Sequence, residues 1–169
     1  MTTADFLIKG ASLPDGKKAD ISITNGVIAS VSSGFKGEAQ TVIDGKDCVV
    51  LPGLVDLHTH LREPGREDAE TVLSGSSAGV KGGFTAVSAM ANTSPVADTA
   101  GVVEQVYRLG QEAGLLDVFP IGAVTEGLKG ESLSEIGAMA DSVARVRVFS
   151  DDGNCVSDPL VMRRALEYI

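Results

Sequence analysis

His58 and His60 are the only histidines in the chain, and they lie one residue apart in Gly53-Leu54-Val55-Asp56-Leu57-His58-Thr59-His60-Leu61-Arg62-Glu63-Pro64-Gly65. In an extended segment side chains alternate with period two, so both imidazoles project from one face while Thr59 points the other way. Two imidazoles so placed can reach one metal ion. Ser150-Asp151-Asp152-Gly153 brings two carboxylates to the end of a later apolar run. Imidazole nitrogen with carboxylate oxygen is a donor set suited to Zn2+ and related divalent ions, and a carboxylate can bridge two of them. Arg62 leaves the histidine strand near this point and can offer a bidentate fork to a carboxylate. Asn92, in Ala89-Met90-Ala91-Asn92-Thr93, can donate an amide hydrogen bond to the same ligand. Each piece has a plainer reading: histidines in a strand-to-loop turn, a surface arginine, and Asp-Asp-Gly and Asn as turn formers. Their recurrence at strand ends favours the site.

The elements that must position these residues follow from the hydrophobic rhythm. From Phe6 to about Asp47, short Ile- and Val-rich runs alternate with Gly, Asn, Asp and Pro, and Asn25-Gly26 between two runs is a two-residue hairpin signal. This reads as a small antiparallel β unit. Beyond Leu51 the rhythm becomes strand, helix, strand, helix, with strands expected at 54–58, 84–90, 118–124 and 146–149. The run leading into His58 is aliphatic enough to predict a strand buried on both faces. Helices are expected at 69–81, at 99–113, from Ser132 or Ser134 to about Val143, and from near Pro159 onward. Alternating elements of this length call for a parallel sheet with right-handed crossovers.

A doubly wound sheet would need a glycine-rich turn after its first strand, where this chain has His-Thr-His-Leu-Arg-Glu-Pro. Gly79-Val80-Lys81-Gly82-Gly83 precedes a strand and matches neither a P-loop nor a dinucleotide fingerprint. The expected fold class is therefore α/β, the first half (four βα units) of a (β/α)8 barrel of the TIM type preceded by the small β unit. In such barrels chemistry sits at the carboxyl ends of the strands.

A complete barrel takes about 250 residues, whereas this chain has 169 and stops inside the fourth expected helix. The expected division is 1–50 for the β unit and 51–169 for a barrel cut in that helix. A hydrophobic content of 43% suits a folded core and not intrinsic disorder. A net charge of −9 and a pI near 4.6 argue against nucleic acid or an anionic membrane as the main partner. No segment approaches the roughly 20 apolar residues of a membrane span. The start Met1-Thr2-Thr3-Ala4-Asp5 lacks signal-peptide character, so a cytoplasmic location is expected. Cys48 and Cys155 lie far apart beside apolar neighbours and are expected to be buried free thiols.

At this point the chain resembles the dihydroorotases of the amidohydrolase superfamily, in the class whose bridging metal ligand is an aspartate. The resemblance is carried by Pro52 through Gly65, by Gly82-Gly83-Phe84-Thr85 with Ala89-Met90-Ala91-Asn92-Thr93, and by Phe149-Ser150-Asp151-Asp152-Gly153. The Asp-x-His-x-His element alone marks the superfamily, and Leu-Arg-Glu-Pro-Gly after it narrows the match. One departure is Ala91, where the family often has proline. The resemblance implies that His58 and His60 hold zinc, with one or two ions per site, and that Asp152 bridges two metals beside a structural Asp151. It implies that Arg62 and Asn92 hold the substrate carboxylate. It also implies an N-terminal part of a small β-sandwich for 1–50, and hydrolysis of the cyclic amide of dihydroorotate to N-carbamoyl-aspartate in pyrimidine biosynthesis.

The same resemblance places two more metal-binding histidines and a general acid/base aspartate downstream of these 169 residues. The isolated polypeptide is therefore expected to be inactive and poorly folded or self-associating. Partners implied are the small-molecule substrate and a second copy or aspartate transcarbamoylase. Two other readings stand beside it: a hydantoinase- or dihydropyrimidinase-like enzyme, which generally lacks need of Arg62, and an inactive homologue scaffolding aspartate transcarbamoylase, disfavoured because His58, His60 and Asp152 are retained.

Overall fold

The computed structural model of the chain describes residues 3–169, which divide into two compact units, Met1–Pro52 and Gly53–Ile169. The first unit is a four-stranded sheet of β1 (Thr3–Ser12), β2 (Lys18–Thr24), β3 (Val27–Ser32) and β4 (Glu38–Asp44), in the order β3-β2-β1-β4. Asn25 and Gly26 both take positive φ, 51° and 73°. That is the twist a two-residue hairpin turn requires, and it joins β2 to β3 as the dipeptide predicts.

β4 departs from the expected antiparallel pattern. It pairs with β1 in parallel, from Thr3↔Glu38 to Lys9↔Asp44. A parallel neighbour needs a long crossover, and the β2–β3 hairpin supplies it; alternating Ile and Val in an edge strand carry no sign of direction. The carboxylate of Asp20 helps to hold the return of the chain, accepting from the backbone N–H of Gly10 at 2.9 Å and of Phe35 at 3.0 Å.

The second unit alternates as expected: β5 (Leu54–Thr59), α1 (Val72–Lys81), β6 (Phe84–Ala89), α2 (Ala100–Ala113), β7 (Asp117–Pro120), α3 (Ile136–Asp141) and α4 (Pro159–Tyr168). The strands pair in parallel in the order β5-β6-β7. Consecutive strands as consecutive neighbours, with no reversal of order, are the pattern of a barrel wall and not of a doubly wound sheet. Val72, Val87, Val106, Leu116 and Val118 pack together between this sheet and the helices α1 and α2. A second cluster joins Val103, Ala123, Met139 and Val146. No helix among the described residues is long and apolar enough to cross a membrane.

Local chemistry explains the starts of α1 and α4. Thr71 accepts from the N–H of Ser74 at 3.1 Å, while the Ser74 hydroxyl accepts from the N–H of Thr71 at 3.0 Å. This reciprocal cap starts α1 at Val72, three residues later than the hydrophobic spacing predicts. Asp158 caps α4 through Leu160 N–H at 2.7 Å, with Pro159 in the first helical position where a missing N–H is harmless.

Four expectations are corrected. The strand at β5 is not buried: Leu54, Val55 and Leu57 are exposed, Leu57 at 73%, because β5 is an edge of this sheet. The strand expected at 146–149 is reduced to one bridge, in which Gly122 N–H donates to Val148 at 3.1 Å and Ser150 N–H to Gly122 at 2.9 Å. Its neighbour β7 spans only four residues and ends at Pro120, which has no N–H to extend the ladder. The helix expected from Ser132 or Ser134 shortens to α3, because the Ser134 hydroxyl donates to Ala123 O at 2.6 Å and that of Ser132 to Glu126 at 2.9 Å, so neither caps it. Cys48 and Cys155 are exposed, as is Val49 beside the first, so these thiols are not core residues.

Candidate metal centre

β5 delivers the histidine pair to the carboxyl end of the sheet. Thr59 closes the ladder by accepting from Met90 N–H at 2.9 Å, and His58 and His60 flank it with ring centroids 5.2 Å apart at 68°. The third component arrives on the turn after the Gly122–Phe149 bridge, where two adjacent aspartates divide the work. Asp151 is 6% exposed and turns inward. Its Oδ1 accepts from Val124 N–H at 2.7 Å and Thr125 N–H at 3.0 Å, and its Oδ2 accepts from the Thr125 hydroxyl. That anchorage leaves Asp152 facing the histidines: its Oδ2 lies 3.5 Å from His58 Nε2 and 3.4 Å from His60 Nε2.

His58, His60 and Asp152 offer ligand atoms that all lie within 4.8 Å of one another. Donors held about 2.0–2.2 Å from a tetrahedral ion stand about 3.4 Å from each other. The two nitrogen-to-oxygen separations match that edge, so the donor set fits a shared divalent cation in chemistry and in spacing. Asp152 Oδ1 makes no hydrogen bond among the described residues, so it is free for a second ion.

The residues that resemblance assigns to substrate lie on the loops after β5 and β6. Arg62 is exposed, holds a left-handed backbone at φ 63°, and its guanidinium has no hydrogen bond or ion pair among the described residues. The loop is pinned beyond it: Glu63 accepts from Val72 N–H at 2.7 Å, tying the loop to the start of α1, and Ser94 N–H donates to Pro64 O at 3.0 Å, tying it to the next loop. The N–H of Gly65 donates to Glu67 at 2.8 Å and holds that carboxyl below its ordinary value. Asn92 is exposed and places its Oδ1 2.9 Å from His60 Nδ1.

Two participants escaped sequence reasoning. Thr125 is fully buried and shares three hydrogen bonds around Asp151 and Gly130, but a lone threonine in the loop after β7 carries no signal of its own. The anchoring of α1 by Glu63 joins residues nine positions apart with no helical spacing.

Parallel strands in sequential order, with two histidines and an aspartate converging beyond the strand ends, define the class: a partial α/β barrel of the amidohydrolase type. The chain belongs to the dihydro-orotase-like family, whose sequence model matches residues 47–167. It is 62% identical over 169 residues to a dihydroorotase of Leifsonia xyli subsp. xyli, covering 100% of this chain and 39% of that protein. It is 60% identical over 163 residues to a dihydroorotase of Streptomyces coelicolor, covering 96% and 38%. Among solved structures, an L-hydantoinase (dihydropyrimidinase) from Arthrobacter aurescens matches with a TM-score of 0.61 and 26% identity, covering 74% of this chain and 29% of that one. The chain thus spans about two fifths of the length of the curated relatives it matches.

Proposed function

We propose that this chain supplies the histidine–aspartate metal site and the carboxylate-binding side of a dihydroorotase active site, which reversibly opens the ring amide of dihydroorotate to N-carbamoyl-aspartate. The observation that carries the reading is the approach of His58 and His60 Nε2 to a single oxygen of Asp152, with the exposed Arg62, whose guanidinium has no partner among the described residues, two residues beyond. Nitrogen and oxygen donors in this number suit zinc, in one or two ions. When bound, zinc acidifies a water to a pKa of about 7 and polarises the carbonyl under attack.

The chain's own residues set the rest. To hold a cation, His58 and His60 would each present an imidazole lone pair, and Asp152 would present its carboxylate with a second oxygen in reserve. The Arg62 guanidinium offers parallel N–H groups, so it would take the ring carboxylate in a fork and fix which amide faces the metal site. Asn92 can add an amide N–H to the same carboxylate.

The hydantoinase reading keeps one observation in its favour, the structural match to the Arthrobacter aurescens enzyme. Its usual substrates carry no ring carboxylate, so Arg62 separates the two. The test is a chimera in which these 169 residues replace the matching 169 residues of the Leifsonia xyli dihydroorotase. Arg62→Ala is expected to lower kcat/KM for dihydroorotate about 10- to 100-fold, the range for losing charge-assisted hydrogen bonds, with little change for hydantoin or dihydrouracil. Unchanged dihydroorotate turnover in Arg62→Ala, with good hydantoin turnover, would move the assignment to the hydantoinases.

A further inference from the structure

A substrate-binding role leaves the oxygen of Asn92 unaccounted for. It faces His60 Nδ1 at 2.9 Å, while the opposite nitrogen of the same ring, Nε2, faces Asp152 at 3.4 Å. A neutral imidazole carries one proton on one of its two nitrogens. For Nε2 to offer a lone pair to a cation, the proton must sit on Nδ1, and the atom opposite Nδ1 must then accept. The amide oxygen of Asn92 meets that requirement. The ring of His58 has no such partner among the described residues, so the two histidines are not equivalent.

The loop that carries Asn92 is well anchored. Met90 N–H donates to Thr59 O at 2.9 Å, Ala97 N–H to Ala91 O at 2.9 Å and the Thr93 hydroxyl to Pro95 O at 2.7 Å, while Ala91 is fully buried.

We infer that Asn92 is a positioning residue of the metal centre: its Oδ1 holds His60 as the Nδ1–H tautomer with Nε2 aimed at the cation. Its Nδ2, with two N–H donors, stays free for a substrate carboxylate. One amide would thereby link the metal ligand to the substrate, oxygen to one and nitrogen to the other. The inference rests on the metal-site reading above and goes beyond it by giving Asn92 a role in the absence of substrate.

The test uses the same chimera, reading zinc retention against a competing chelator separately from turnover. Loss of a hydrogen-bond partner behind a metal-bound histidine weakens metal affinity by about 10- to 100-fold. Asn92→Ala is expected to show that loss of zinc affinity without substrate present. Asn92→Asp keeps an acceptor opposite Nδ1 and is expected to hold zinc close to wild type, while its negative charge raises KM for dihydroorotate. A residue that touches substrate alone would leave zinc affinity unchanged in Asn92→Ala, and that result overturns the inference.

If Asn92→Ala does not fold, Asn92→Asp and the unsubstituted protein carry the test. In zinc-loaded chimera labelled with 15N-histidine, with His60 assigned by its loss in His60→Asn, His60 is expected to hold the metal through Nε2 with its proton on Nδ1, and coordination through Nδ1 overturns the inference. A parent chimera that retains no zinc refutes the metal-site reading itself, an outcome distinct from a zinc-loaded parent whose Asn92→Ala variant matches it.

Discussion

Adjacent aspartates with opposite roles should give opposite phenotypes. Replacing Asp151 by alanine removes the acceptor for three donors, the N–H groups of Val124 and Thr125 and the hydroxyl of the fully buried Thr125. Each stranded buried donor costs about 1–3 kcal/mol, which sets an upper bound of roughly 9 kcal/mol. Water can recover part of that, because a cavity of about 550 Å³ lined by Phe149, Asp151, Asp152 and Met162 lies beside the turn. A loss of about 3–5 kcal/mol is therefore expected, a large share of the roughly 5–15 kcal/mol that holds a domain folded. Asp151→Asn keeps one carbonyl acceptor but turns an NH2 group toward one of the former donors, and should fall between.

Asp152→Ala removes a side chain whose polar partners among the described residues are the two imidazoles, at 3.4 and 3.5 Å. Its stability should stay within about 0.5 kcal/mol of the parent, while zinc retention collapses. Urea unfolding of the metal-free chimera and chelator competition of the loaded one read the two effects separately. A metal-free Asp151→Ala protein within 1 kcal/mol of its parent, or equal losses for the two alanine variants, would refute the division of labour.

Gly110 on α2 approaches β7 so closely that an added Cβ would stand 2.6 Å from Val118 Cβ. Gly110→Ala should therefore destabilise by about 1–2 kcal/mol despite alanine's better helix propensity, and a thermal midpoint at or above the parent's would count against that packing. Asp20 accepts two backbone N–H groups, chiefly that of Phe35 and then that of Gly10, which hold its carboxyl below the ordinary value. Because the folded state favours the charged form, this contribution is present above the unfolded carboxylate pKa of about 3.9 and is lost as pH falls through the lower folded value. Asp20→Asn should flatten the acid limb of a stability–pH profile, and an unchanged limb would exclude the carboxylate. Adding zinc should raise the thermal midpoint of the metal-free chimera, since a ligand at 100 times its Kd adds about 2.7 kcal/mol; equal midpoints with and without metal would contradict a centre bound in the folded state.

What the sequence made legible is local. Asn25-Gly26 announces its hairpin because two adjacent positive-φ residues admit few structures. The helix α2 is legible from its spacing and from Gly114 beyond it, where the backbone turns left-handed. What was illegible depends on neighbours distant in the chain. Ser132 and Ser134 look like helix caps, but their hydroxyls are drawn to Glu126 and Ala123. The run 146–149 has the composition of a strand, yet a ladder needs a partner of equal length, and β7 ends at a proline. Leu54, Val55 and Leu57 have the apolar character of buried strand residues, but burial belongs to the surroundings, and β5 has a neighbour on one side only.

The candidate site divides along the same line. Period-two alternation predicts His58 and His60 on one face, and both rings approach Asp152 even though the β5–β6 register shifts between Asp56 and Thr59. Their approach to Asp152 spans more than ninety positions and depends on Asp151 being drawn toward Val124 and Thr125, a contact with no sequence signature. A buried hydrogen-bonded aspartate thus helps to set where its half-buried neighbour points. By the same logic Asn92 is defined less by its place after β6 than by the ring nitrogen it faces. The donor types suited to metal chemistry are written in the chain, whereas their aim is set by neighbours such as Asp151 and Thr125 that are not among the three clustered donors.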